Sequence, residues 1–211
     1  MLAIVLAYLV GAVPIGVLIG KAKGVDIRRT GSGNVGASNV MRVLGMRLGV
    51  LAFAGDVLKG ALPVLFAEHV LQLSGWALSA AAAAAVIGHC YSPYLRFAGG
   101  KAVATGLGIM LAIRWPVGLV CFGTWGVVLA LTRTISVGSM VAYATSPLAA
   151  WALGGGPPTI AVAGFLALLS IYRHRENIQR LLAGTESRIG QRATAEPAAG
   201  TADPPEGGAT E

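Results

Sequence analysis

Residues 2–20, LAIVLAYLVGAVPIGVLIG, hold no charged side chain, and their reading decides the fold. A helix needs about 20 apolar residues to cross the hydrocarbon of a bilayer, and this run is long enough. A signal peptide would open with a basic region and end at a small-residue cleavage site; this run has neither, so it reads as a span. The rest of the chain agrees. Of 211 residues, 55% are hydrophobic and 12% charged, with mean hydropathy +0.71. A water-soluble domain carries roughly a quarter charged residues. Lipid is the better solvent for this composition.

Working outward, further apolar runs follow. Leu48 to Ala67 is interrupted by Asp56 and Lys59, and Val70 to Gly88 is built around the alanines 80–85. Ala102 to Ile113 is short, and only Arg114 separates it from Trp115 to Thr132. Thr134 to Tyr172 is too long for one helix and breaks at Gly154-Gly155-Gly156-Pro157-Pro158. The expectation is an all-α integral membrane protein with about seven transmembrane helices, the fourth being short. If the N-terminus is outside, the inner loops hold Lys21, Lys23, Arg28, Arg29, Arg42, Arg47, Arg96, Lys101 and Arg133, then the five arginines from Arg173 to Arg192. The outer connections hold only Arg114, which satisfies the positive-inside rule with a cytoplasmic C-terminus. Trp76, Trp115 and Trp151 fall near outer ends, where an aromatic belt belongs. Residues 1–189 read as one polytopic domain. Residues 190–211, rich in Ala, Gly, Pro, Thr and Glu, read as a disordered cytoplasmic tail.

The net charge of +7 does not indicate nucleic acid, because aromatics are sparse and the basic residues sit between apolar runs. Cys90 and Cys121 have no metal-ligand spacing and make no disulfide framework.

Polar sequence concentrates on the inner face. Gly31-Ser32-Gly33-Asn34-Val35-Gly36-Ala37-Ser38-Asn39-Val40-Met41-Arg42 offers glycine backbone, hydroxyls and a cation to an anion, or is a connector between helices. Gly99-Gly100-Lys101 stands before an apolar helix, as a phosphate site would, although a lysine also marks a cytoplasmic boundary. His89 reads equally as a satisfied helix-end histidine. In Arg173-His174-Arg175-Glu176-Asn177-Ile178-Gln179-Arg180, a helix puts His174 and Asn177 on one face and pairs Glu176 with Arg180; a juxtamembrane lipid-binding helix is the plainer alternative. Ser136 and Ser139 lie one turn apart at the start of the sixth helix and can bond a ligand or the backbone. Asp56 and Lys59 read as a mutually neutralising structural lock. Together these residues predict an anionic, phosphorylated ligand.

Three segments in order, GSGNVGASNVMRVLG from residue 31, GHCYSPYLRFAGGKAVATGLG from 88 and HRENIQRLLAGTESRIG from 174, resemble the PlsY family of acyl-phosphate:glycerol-3-phosphate acyltransferases. The opening LAYLVGAVPIGVLIG and the GDVLKG around Asp56 are similar too, so the likeness runs to about Gly190. The resemblance implies seven helices and transfer of a fatty acyl group from acyl phosphate to the 1-hydroxyl of glycerol 3-phosphate at the cytoplasmic face of the inner membrane. The product is lysophosphatidic acid. No metal or cofactor is implied, and membrane lipids and soluble upstream enzymes that carry acyl chains are the expected company. Motif by motif, it carries catalytic roles to Ser32, Lys101, His174 and Asn177. Substrate and phosphate binding falls to Gly31, Gly33, Asn34, Ser38, Arg42, Gly99, Gly100 and Ser139, with Glu176, Asp56 and Lys59 in support. Ser38 departs from the family's more usual threonine but keeps the hydroxyl, and Cys90 occupies a variable position.

Acyl-CoA glycerolipid acyltransferases place Asp five residues after a His, and none of His69, His89 or His174 does so. A transporter of phosphorylated metabolites is the alternative, but it would need repeat symmetry or a polar path through the spans. A purely structural lipid-binding protein would not need the Gly-Ser-Gly-Asn and Gly-Gly-Lys loops.

Overall fold

The computed structural model describes residues 1–189, so the expected disordered tail, 190–211, lies outside the described residues. Among the described residues every regular element is helical. The elements are α1 (Leu2–Gly11), α2 (Ile15–Ala22), α3 (Ala37–Leu44), α4 (Met46–His69), α5 (Gly75–Cys90), α6 (Val103–Thr132), α7 (Ile135–Ala152), α8 (Pro157–Arg173) and α9 (Arg175–Leu182). All the apolar runs read from the sequence are helical. Three stretches, Leu2–Ala22, Met46–His69 and Val103–Thr132, are long and apolar enough to cross a membrane.

The first run is two helices, because Pro14 at the break cannot continue α1's hydrogen bonding. Two carbonyls released there find partners on distant elements: Ser92 Oγ donates to Ala12 O at 2.7 Å, and Lys59 Nζ donates to Val13 O at 2.7 Å. Residues 37–42, expected as part of a Gly-rich segment, belong to α3. It turns back onto α4 through Gly45, whose φ of +89° suits glycine.

As one rod α6 would be about 45 Å long. Arg114, at φ −153° and ψ 83°, breaks it into limbs 103–113 and 115–132. The limbs fold back, since a Cβ on Gly118 would meet Leu111. Pro116, with no N–H to donate, fits the first turn of the second limb. The short fourth run is thus the first limb of a helical hairpin. Arg114 Nη2 donates to Leu153 O at 2.5 Å, and Ser79 Oγ to Pro158 O at 3.1 Å. These bonds gather the start of α5, the α6 reversal and the α7–α8 turn at one end of the bundle.

Small residues let the helices approach closely where apolar side chains gain nothing by leaving lipid. Gly60 of α4 lies against the Thr105 backbone, and Gly108 of α6 against that of Val57. The alanines of α5 build the main core with Ala3, Ala7, Val64, Ile109, Met110 and Leu166. Outward-facing Leu58, Leu62, Leu119 and Leu168 are exposed, as lipid-facing side chains are.

Candidate active site

At the end of the bundle opposite the Arg114 reversal, a cavity of about 540 Å³ collects all three polar segments. The loop before α3 forms its first wall. Asn39, 1% exposed, organises that loop: its Nδ2 donates to Ile27 O at 2.9 Å and Thr30 O at 3.0 Å, and its Oδ1 accepts from Ser32 N at 2.8 Å. Gly31 and Gly33 take φ of +63° and +68°, which the tight path requires. The expected backbone nest is largely closed. Gly33 N–H donates to Thr30 O at 3.2 Å and Gly36 N–H to Asn34 Oδ1 at 2.9 Å, so Gly33 shapes the wall rather than binding through its N–H. Gly31 stands outside the lining. Side chains are what the wall offers: Ser32, Asn34, Ser38 and Arg42 line the cavity, and Arg42 is exposed with no ion pair among the described residues.

The second wall is the turn into α6. Gly99 N–H donates to Cys90 O and Gly100 N–H to His89 O, each at 3.1 Å. Both glycines were expected to bind phosphate; their N–H groups are committed to the last turn of α5, and Gly100 does not line the cavity. Their carbonyls accept from Arg173, Gly100 O from Nε at 3.0 Å and Gly99 O from Nη2 at 2.7 Å. Ala102, at φ +57°, then launches α6, whose first-turn N–H groups face this end. Lys101 lines the cavity, and its ammonium donates to Asn177 Oδ1. Burial, reinforced by nearby Arg180, brings the Lys101 pKa down to about 8.

The third wall is the α8–α9 junction. His174 does not sit within one helix with Asn177; it ends α8 and caps α9. Both side chains are nevertheless buried on the cavity side. His174 Nδ1 lies 2.7 Å from Ser170 O; a carbonyl only accepts, so Nδ1 carries the proton and Nε2 is the open lone pair. Burial lowers its pKa to about 4, and the ring is neutral at physiological pH. The expected Glu176–Arg180 pair is replaced: Arg180 Nε binds Glu186 Oε2 at 2.7 Å, and Glu176 stays exposed at the rim. Glu186 also accepts from Asn177 Nδ2 at 2.6 Å and Ser136 Oγ at 2.7 Å. Burial acts against its charge, but those three donors hold its pKa below the usual carboxylate range. Ser139 lines the cavity and bonds the Ile135 carbonyl of its own helix at 2.9 Å.

Underneath, Asp56 and Lys59 form a buried ion pair at 2.8 Å, and Asp56 reaches the cavity floor. Leu107, Phe122, Trp125 and Tyr143 give one side an apolar lining, with Phe122 and Trp125 stacked 5.8 Å apart. The sequence reading passed over Asn39, Arg173 and Glu186. Each acts by folding its segment back on distant partners, which spacing does not reveal. Hydroxyls and cations on opposing walls beside an apolar slot can hold two anionic groups and an alkyl chain together.

Known proteins share this chain's sequence pattern and fold. The family model for glycerol-3-phosphate acyltransferase matches residues 1–184. Curated relatives named glycerol-3-phosphate acyltransferase include that of Syntrophotalea carbinolica, 47% identical over 87% of this chain and 94% of its own. That of Rubrobacter xylanophilus is also 47% identical, over 90% and 96%. The crystal structure of PlsY (YgiH), an integral membrane glycerol 3-phosphate acyltransferase, in its glycerol 3-phosphate form, superposes with TM-score 0.86. It is 42% identical over 90% of this chain and 94% of its own. Its lysophosphatidic acid form gives TM-score 0.84 at 41% identity, with the same coverage. This chain belongs to the glycerol-3-phosphate acyltransferase family of integral membrane proteins.

Proposed function

We propose that this chain transfers a fatty acyl group from acyl phosphate to the 1-hydroxyl of glycerol 3-phosphate, yielding lysophosphatidic acid and inorganic phosphate. The observation that carries the reading is the joining of Arg42, Ser32 and Ser38 on one wall, Lys101 on the next and an apolar slot beside both. Acyl phosphate is a mixed anhydride whose phosphate leaves as a stable anion, so the site's work is alignment and charge stabilisation. Lys101 and Ser32 act at the reacting centre, and Arg42, Ser38 and Asn34 hold phosphate oxygens. Asn177, bonded to both Lys101 and Glu186, orients the ammonium. As the hydroxyl oxygen bonds to the acyl carbon, the bond to the phosphate oxygen breaks. The hydroxyl proton passes to a phosphate oxygen or to Nε2 of neutral His174.

The same reading gives seven spans, an outside N-terminus and a cavity open to the cytoplasm in the inner membrane. Its support is that nearly all lysines and arginines among the described residues lie at the cavity end, which the positive-inside rule assigns to the cytoplasm. The test is purified protein supplied with glycerol 3-phosphate and either acyl phosphate or acyl-CoA. Turnover with acyl phosphate alone is expected, and comparable rates with both donors would overturn the donor assignment. Passage of glycerol 3-phosphate into vesicles with no acylated product would favour the transporter.

A further inference from the structure

His89 takes no part in the chemistry above, yet its buried ring touches both flanks of Lys101. Its Nδ1 lies 3.0 Å from Thr105 Oγ1, in the first turn of α6. Its Nε2, Cδ2 and Cε1 atoms stand where a Cβ on Gly100 would be. Its own carbonyl takes the Gly100 N–H. Gly100 immediately precedes Lys101, and Thr105 follows four residues later. Behind the ring, Asp56 Oδ1 lies 3.9 Å from Nδ1 and is anchored on α4 by Lys59. The guanidinium of Arg173 holds the Gly99 and Gly100 carbonyls. The turn that carries Lys101 is thus gripped by an imidazole and a guanidinium.

A lysine is a point charge on a flexible stem, and its aim depends on where its backbone is fixed. We propose that His89 is a positioning residue for acyl transfer: it braces the Gly99–Ala102 turn against Thr105 and so sets where Lys101 meets phosphate. The proposal rests on the reading of Lys101 as a phosphate-binding group. It separates His89 from an ordinary buried histidine, which would hold α5 against α6 and affect catalysis only through folding.

The experiment measures steady-state kinetics and detergent melting for His89→Ala, His89→Gln and Thr105→Val, each in the wild-type and the Lys101→Ala backgrounds. In the wild type, His89→Ala should lower kcat/KM about 100-fold, the scale of an ångström-sized misplacement. In Lys101→Ala the same change should cost less than about 3-fold, because residues acting through one group are not additive. Glutamine fills similar space and can still bond Thr105, so His89→Gln should recover most activity. Thr105→Val should lose less than His89→Ala, with the same dependence on Lys101. Should His89→Ala fail to fold, the other two variants carry the comparison. Equal losses in both backgrounds would overturn the proposal alone. Wild-type activity in Lys101→Ala would remove the phosphate-site reading and the proposal with it.

Discussion

The His89 ring fills the space in which a side chain at Gly100 would begin, so glycine and imidazole are sterically matched across the α5–α6 turn. Gly100→Ala should therefore destabilise the fold by about 1–3 kcal/mol, the usual cost of overpacking. Adding His89→Ala should restore part of the detergent melting temperature. A Gly100→Ala protein that melts with the wild type would contradict the geometry.

Lys101 gives the site an alkaline limit. Its pKa of about 8 lies below that of a free lysine, so the ammonium is lost as pH rises through 8 rather than near 10. kcat/KM, which reports the free enzyme, should fall across that range. Stability should not fall with it from this cause. Between the folded and unfolded pKa values the unfolded chain binds more protons at this side chain, so its contribution to stability rises with pH. Lys101→Ala should abolish the limb and lower turnover by ~100- to 1,000-fold, the scale for one preorganised donor. A kcat/KM that stays flat to pH 10 in the wild type would refute the assignment.

The Asp56–Lys59 pair tests the cost of charge inside the bundle. Removing one partner leaves the other buried and uncompensated, which costs about 3–5 kcal/mol. Asp56→Leu and Lys59→Met should each melt far below the wild type. The double variant should regain much of the loss, less what the Val13 carbonyl loses with the ammonium. Detergent melting of all three proteins decides it, and losses that simply add would show that the pair is not coupled.

Cys90 stands beside His89 in sequence, which invites a covalent mechanism, but its thiol is fully buried and lines no part of the cavity. The expected result is an active Cys90→Ala protein and no thioester after incubation with acyl phosphate alone. Mass spectrometry that finds a stable acyl adduct on Cys90, lost together with activity in the variant, would replace direct transfer.

Topology can be read with single cysteines at exposed Ala183 and Gly156, since Cys90 and Cys121 are buried and should react slowly. An impermeant thiol reagent should reach Ala183→Cys only from the cytoplasm and Gly156→Cys only from outside. Labelling from one side would overturn the seven-span arrangement.

The helices were legible because hydrophobic length and charge spacing are local properties. Even the hairpin inside α6 was visible, as the lone Arg114 between two apolar runs. The walls of the cavity were legible as residue types but not as bonds. Gly99 and Gly100 looked like anion-binding backbone; their N–H groups are taken by the carbonyls of Cys90 and His89, a pairing set by how α5 meets α6. Glu176 looked like the partner of Arg180 by helical spacing, but Gly184, at φ +71°, turns the chain back and delivers Glu186 instead. Local pattern identifies which groups are present, and the return path of the chain decides which of them meet.

The break at Pro14 also constrains how the protein is made. A transmembrane segment leaving the ribosome is stable in lipid only when its peptide groups are bonded. Ala12 and Val13 obtain partners from Ser92 and Lys59, which are synthesised 80 and 46 residues later. Val13 O also takes the Ile15 N–H at 3.1 Å, a partner within its own segment, whereas the Ala12 carbonyl has its donor only once the third hydrophobic segment and the loop beyond it have emerged. The bond that closes the break in the first segment is thus supplied by a residue made 80 positions after it.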